Sequence, residues 1–215
     1  MKIAIIGSGN MGGGLGKLWA KANHQVIFSF SRDENKLNHL AKSAGLNATV
    51  GSLEEAVSQS EIILIAVWLP ALEAMMRSVS SWENKIIITC VSGLQPDFTG
   101  ETIGIQTDFK ISVAEKIQQI APGAKVVEAF NITFAEIVAS NSRQFGEDKP
   151  TIFYCGDDAS SKAIVAHLIE DCGYSSVDAG ELKIARTLET LATAWVQFAV
   201  SSQLFPNIAL KVLQR

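Results

Sequence analysis

Met1-Lys2-Ile3-Ala4-Ile5-Ile6 runs straight into Gly7-Ser8-Gly9-Asn10-Met11-Gly12, and this stretch decides how the chain is read. The apolar run has the length of a strand. Beyond it, Met11, Leu15, Leu18, Trp19 and Ala22 recur at helical spacing. Glycines wedged between a strand and an amphipathic helix meet three separate demands. Gly7 allows the tight turn, Gly9 lets the backbone approach a pyrophosphate, and Gly12 lets helix and strand pack closely. The helix start adds unpaired N–H groups and a positive dipole end. A glycine loop without a ligand would not need this context. The segment predicts a dinucleotide site with Gly7, Ser8, Gly9, Asn10, Met11 and Gly12 as candidate contacts.

The second strand, Gln25 to Phe30, bears on which dinucleotide. A site selective for NAD places a carboxylate about 20 residues past the glycines to hold the ribose hydroxyls. Here the count lands at Ser29, and no acid precedes Asp33. The strand instead ends in Ser31-Arg32, with Lys36 a helical turn further on. A hydroxyl, a guanidinium and an ammonium at that place suit a 2′-phosphate. Two charged hydrogen bonds at about 1.5–3 kcal/mol each would favour NADP over NAD by roughly two orders of magnitude or more. The competing reading is a solvated basic turn that opens a surface helix.

With 215 residues, 47% of them hydrophobic, the chain can bury a full core. Its 18 basic and 22 acidic residues leave a net charge of −4, which argues against a nucleic-acid surface. Cys90, Cys155 and Cys172 form no CxxC pair, so they read as reduced, mostly buried thiols and not as a disulfide frame or metal site. The longest apolar run, 62–70, is far short of the roughly 20 residues that cross a bilayer. A soluble, cytoplasmic protein is expected.

Strands and helices alternate. Buried-strand patterns at Ile62 to Val67 and Lys85 to Cys90 carry apolar residues in unbroken runs, as parallel strands covered on both faces do. Ser52-Leu53-Glu54-Glu55 opens a helix with a capping-box pattern, and Pro70 suits the first turn of another. The expected fold is α/β, a Rossmann-type doubly wound parallel sheet over residues 1–150. A small C-terminal part, 151–215, adds strand, helix, strand and a long helix over 181–199. Leu191, Trp195 and Phe198, with Leu204 and Phe205 beyond, supply more apolar surface than one helix face can bury, which points to a homodimer. Ser140 to Pro150 is polar and irregular, the best candidate for a mobile loop.

Ligands of such sheets bind outside the carboxyl ends of the strands. Ala66, Val67, Trp68 and Leu69 would flank the nicotinamide side. The sixth strand, Val126 to Phe130, brings Ala129 to the same edge, and Asn131 follows it. Asn131 could bond a carboxamide or substrate ring, or simply fix its own turn. His24, His39 and His167 fall in surface-like segments and are expected to be solvated. With no histidine, Ser-His-Asp set or paired carboxylates in these loops, no acid/base residue and no metal ligand is assigned. The cofactors would carry the chemistry, with hydride positioning by Trp68, Leu69 and Asn131.

The same residues resemble the NADP-dependent reductases of the deazaflavin coenzyme F420. The likeness rests on Gly7 to Gly12, Ser31-Arg32 with Lys36, and Ala129-Phe130-Asn131. It continues in Tyr154 to Asp158, Val177 to Gly180, Ala185-Arg186 and Glu189. It implies a Rossmann domain with a small C-terminal part, often dimeric, that moves a hydride between NADP(H) and the deazaflavin ring. It further implies that Gly9, Asn10 and Met11 hold the pyrophosphate, that Ser31, Arg32 and Lys36 hold the 2′-phosphate, and that Val67, Trp68 and Leu69 flank the nicotinamide. Two departures touch the second-substrate side: Ser92-Gly93-Leu94 stands where an Asn-Pro-Leu stretch is common, and Trp68 where proline is frequent. Related domains use flavin as the electron partner.

The leading expectation is therefore hydride transfer between NADPH and F420 or a flavin-type acceptor. The alternatives are an imine, pyrroline or hydroxyacid reductase, and a non-catalytic NADP-sensing regulator. Hydroxyacid members carry Lys followed four residues later by Asn, whereas Lys183 here is followed by Thr187.

Overall fold

The computed structural model describes residues 1–31, 33–95, 104–105 and 110–215. Arg32 and most of the loop around 96–109 lie outside the described residues.

The first half alternates strand and helix as the pattern requires. Strand β1 (Lys2–Ile6) leads to α1 (Asn10–Lys21), β2 (Gln25–Ser29) to α2 (Glu34–Ala44), β3 (Ala48–Val50) to α3 (Leu53–Gln59), and β4 (Ile62–Ile65) to α4 (Leu69–Arg77) and then β5 (Ile86–Thr89). A two-stranded antiparallel pair, β6 (Leu94–Gln95) and β7 (Gly104–Ile105), precedes α5 (Val113–Ile120), β8 (Lys125–Ala129) and α6 (Ala135–Ala139). The chain ends with β9 (Thr151–Gly156), α7 (Ala159–Asp171), β10 (Ser175–Asp178), a 3-10 turn Leu182–Ile184 and α8 (Ala185–Ser201).

Eight of these strands form one sheet in the order β10-β9-β8-β5-β4-β1-β2-β3. Its ladders are parallel from β3 through to β8, with the order reversing between β1 and β4. That reversal is the switch point of a doubly wound Rossmann sheet. Strand β9 pairs antiparallel with β8, and β10 runs parallel to β9, so the C-terminal strands extend the same sheet.

Alternation along each strand sends side chains to two cores. Ala4, Ile6, Ile63 and Ile65 meet α3, α4, α5 and α8 through Val57, Met75, Ile117 and Leu188. Ile3, Ile5, Ile62 and Leu64 meet α1, α2 and α7 through Trp19, Leu37 and Leu168. The Ser52–Glu55 capping box forms as its pattern predicts, and Ser112 and Glu115 build a second one at α5.

Three local expectations are corrected. His24 is buried, not solvated: its ring bonds Asp171 at 2.8 Å and faces the N-terminal amine at 3.2 Å. The C-terminal helix starts later than its apolar pattern implied, the first residues forming the 3-10 turn. Trp195 turns inward and is buried, so the exposed apolar residues at this end are Phe198, Val200, Leu204 and Phe205. The 140–150 loop is exposed and held by Arg143 on the Ser140 carbonyl and by Lys211 on Asp148.

Candidate nucleotide and hydride-transfer site

The carboxyl ends of β1, β2, β4, β5 and β8 open into one cleft of about 1280 Å³. It begins at the glycine turn. Gly7 has φ +106°, and a Cβ there would lie 2.4 Å from the Ala66 carbonyl oxygen, so only glycine fits. Gly9 is the N-cap of α1 with no side-chain hydrogen bond, and no acidic residue stands in the first turn. Among the described residues no side chain caps the first N–H groups of α1, which is the chemistry a pyrophosphate needs. A Cβ at Gly9 would meet nothing within 4 Å. That empty space is where a phosphate can approach the backbone.

Phe30, Ser31 and Lys36 form the far end of the cleft. Asp33, the first acid after the strand, is engaged elsewhere: its carboxylate caps α2 by accepting from the backbone N–H groups of Asn35 and Lys36. It is not part of the wall. Among the described lining residues there is no Asp or Glu, and Lys36 is the one charged side chain. An anionic group is favoured at this end.

The other half is apolar. Ala66, Val67, Trp68, Leu69 and Pro70 come from the β4–α4 junction, and Ala192, Trp195 and Val196 from α8. Trp68 is 70% exposed at the lip. Phe134 lies under the α8 side and stacks edge-on against Phe205, ring centres 5.0 Å apart. Asn131 stands in the wall between the two halves.

The cleft thus gathers Gly7, Ser8, Gly9, Asn10, Met11, Ser31, Lys36, Ala66, Val67, Trp68, Leu69 and Asn131. Two candidates stand behind it. Gly12 is buried where a Cβ would lie 2.1 Å from the Gly7 carbonyl oxygen, so its role is packing. Ala129 is fully buried in β8. Arg32 lies outside the described residues.

Sequence reasoning missed the floor beneath Asn131. Glu128 of β8 and Glu189 of α8 are both buried, and their carboxyls are in hydrogen-bond contact. Asn131 Nδ2 donates to Glu128 Oε1 at 2.6 Å, and the Val113 N–H donates to Glu189 Oε1 at 2.6 Å. Burial, then the charge of Glu189, pushes Glu128 well above the usual carboxylate range; burial likewise raises Glu189. The available signal was an acid inside a strand of otherwise buried residues. Cys90 also lines the cleft, its thiol pushed up to about 12 by burial, so it stays neutral.

With this geometry in hand, comparison with known proteins shows what the chain is similar to. The family model described as NADP oxidoreductase, coenzyme F420-dependent, matches residues 2–93, from β1 to just past β5. A crystal structure of a candidate F420-dependent NADP reductase from Arthrobacter sp. FB24 superposes with a TM-score of 0.86 at 23% identity, covering 100% of both chains. At that identity the likeness speaks for the fold. A reductive aminase from Aspergillus terreus, in complex with NADPH4, cyclohexanone and allyl amine, superposes with a TM-score of 0.67 at 17% identity, over 94% of this chain and 62% of that one. The metalloreductase STEAP3 of Rattus norvegicus is 26% identical over 190 residues, 88% of this chain. The chain spans 36% and 52% of the length of the curated relatives it matches.

In fold and sequence the chain is similar to NADP-dependent oxidoreductases. More narrowly, its resemblance is to the F420-dependent NADP oxidoreductase family. No helix among the described residues is long and apolar enough to cross a membrane.

Proposed function

We propose that this chain binds NADPH along the cleft and transfers its hydride to a flat ring acceptor of deazaflavin (F420) or flavin type. The observation that carries the reading is the division of the cleft. One half has an uncapped helix start with Ser31 and Lys36, while the other is apolar and offers no carboxylate or histidine among the described lining residues. A phosphate-holding half beside an apolar half suits a dinucleotide whose nicotinamide meets a second ring. In such a reaction the cofactors supply the redox chemistry, and the protein contributes contact and orientation. Gly7, Ser8, Gly9, Asn10 and Met11 hold the pyrophosphate. Ser31, Arg32 and Lys36 take the 2′-phosphate, and Val67, Trp68 and Leu69 bound the nicotinamide.

A second reading, reduction of an imine, is favoured by the superposition on the aminase complex. The match covers 62% of that protein. Following NADPH absorbance with F420, FMN and a cyclic imine separates the two readings. Turnover with F420 or FMN supports the first reading, and turnover with the imine alone supports the second. Tight NADPH binding with no turnover on any acceptor would instead indicate a sensor.

We further propose a homodimer. Phe198, Val200, Leu204 and Phe205 leave an apolar surface beside the acceptor half of the cleft.

A further inference from the structure

Strand β8 is buried along Val126 to Ala129, and the acid within it is fully enclosed. At its register stand Thr89 of β5 and Cys155 of β9. Helix α8 crosses this end of the sheet and brings Glu189 against it. Two ionised carboxylates cannot rest in contact in such a place, but a carboxyl and a carboxylate can. The surrounding donors say which is which. Glu189 accepts backbone N–H groups at the start of α5, from Val113 and Ala114, and so has the partners of an anion. Glu128 has one donor, Asn131, on Oε1; its Oε2 has none. A proton on Glu128 donated to Glu189 satisfies both groups.

The polarity of this chain of bonds runs on to the cleft. Because Asn131 Nδ2 is committed to Glu128, its Oδ1 is fixed as an acceptor, and that atom is buried without a partner. Unpaired buried polar atoms are uncommon, and one on a residue lining a ligand cleft points to a bond completed by the ligand.

We propose that Glu128 and Glu189 share one proton and act as positioning residues, holding the Asn131 amide so that Oδ1 accepts an amide-type N–H of the bound ligand. This rests on the reading of the cleft as an NADP(H) and ring-acceptor site. The N–H comes either from the nicotinamide carboxamide or from the imide of a flavin-type ring. The shared proton makes Glu128 a neutral donor to Glu189 and an acceptor for Asn131, roles a glutamine can copy without a titratable group.

Glu115 is held down to about 2, chiefly by its hydrogen bond to Arg186, and the Cys90 and Cys155 thiols are pushed up by burial.

The test is calorimetry with NADP⁺ and its 3-acetylpyridine analogue, which lacks the carboxamide N–H, and with riboflavin and its N3-methyl derivative. Wild type should prefer the N–H ligand of one pair by about tenfold. Asn131→Ala should erase that preference. Glu128→Gln should restore it relative to Glu128→Ala, because a glutamine oxygen accepts the Asn131 amide N–H as the carboxyl does. Equal binding within both pairs by wild type overturns the proposal. So does a Glu128→Gln variant whose preference is no greater than that of Glu128→Ala. Failure of NADP⁺ to bind wild type at all would instead refute the nucleotide site.

Discussion

The carbonyl oxygen of Gly7 lies 2.1 Å from where a Cβ on residue 12 would stand. The turn into α1 and the packing of α1 on β1 are thus one contact, and it tolerates no side chain. Gly9, the N-cap immediately before α1, has open space where a Cβ would stand. The two glycines should therefore fail differently. Gly12→Ala should lower stability by more than about 3 kcal/mol, as overpacking against backbone does. Gly9→Ala should keep the wild-type melting temperature but weaken NADPH by about tenfold or more, about 1.4 kcal/mol, because its methyl enters the phosphate space. Thermal melts and calorimetry on both variants check this.

Selectivity for the 2′-phosphate should lie in Lys36 and Arg32. Lys36→Ala is expected to weaken NADPH by about 1.5–3 kcal/mol and leave NADH nearly unchanged. Titration calorimetry with both cofactors decides it, and equal losses for the two would assign Lys36 to general phosphate attraction.

Stability should carry the mark of the buried pair. Glu128 is raised on folding, so the stability linked to its proton is present below the ordinary carboxylate value, about 4.3, and is lost as pH rises toward the folded value. Glu128→Gln has no such proton to lose. Its melting temperature should gain on wild type as pH rises from about 5 to about 8, by roughly 2–4 °C for each kcal/mol. Glu115 works in the opposite sense: it is held down to about 2, chiefly by Arg186, so its contribution is lost as pH falls. A Glu128→Gln melting curve that runs parallel to wild type across that range would contradict the shared proton.

The parts of this molecule that local pattern could announce are those whose causes are local. The Gly7 to Gly12 turn, the capping box at Ser52 and the apolar runs of β4 and β5 each depend on neighbours within a few residues. His24 misled because its partner, Asp171, is 147 residues away. The antiparallel pairing of β9 on β8 was equally silent, since a run of buried residues carries no direction. Trp195 sits on a helix that is apolar on more than one face, and pattern alone does not say which face meets the cleft. Glu128 was legible in principle: a charge inside a buried strand demands a partner. That partner, Glu189, lies on the last helix, so the pair exists only once the chain has folded.

The exposed apolar surface at the C-terminal end should mediate self-association. Replacing Phe198 and Leu204 by Glu, two exposed positions, should shift a dimer to monomer in light scattering at micromolar concentration with the fold retained. A wild-type chain that is monomeric under those conditions would contradict the dimer.

The central claim is hydride transfer by positioning, and its most direct test is a single-turnover measurement with 4-deuterated NADPH. Absorbance would be followed on mixing with F420 or FMN, for wild type and Trp68→Ala. Trp68 is largely exposed at the lip, so its loss should spare the fold and most NADPH binding. Transfer to the ring acceptor should show a primary isotope effect in wild type and slow by about tenfold or more in the variant, within the roughly 7–11 kcal/mol that orientation can supply. Absence of deuteride transfer to either ring acceptor, or wild-type rates in Trp68→Ala, would contradict it.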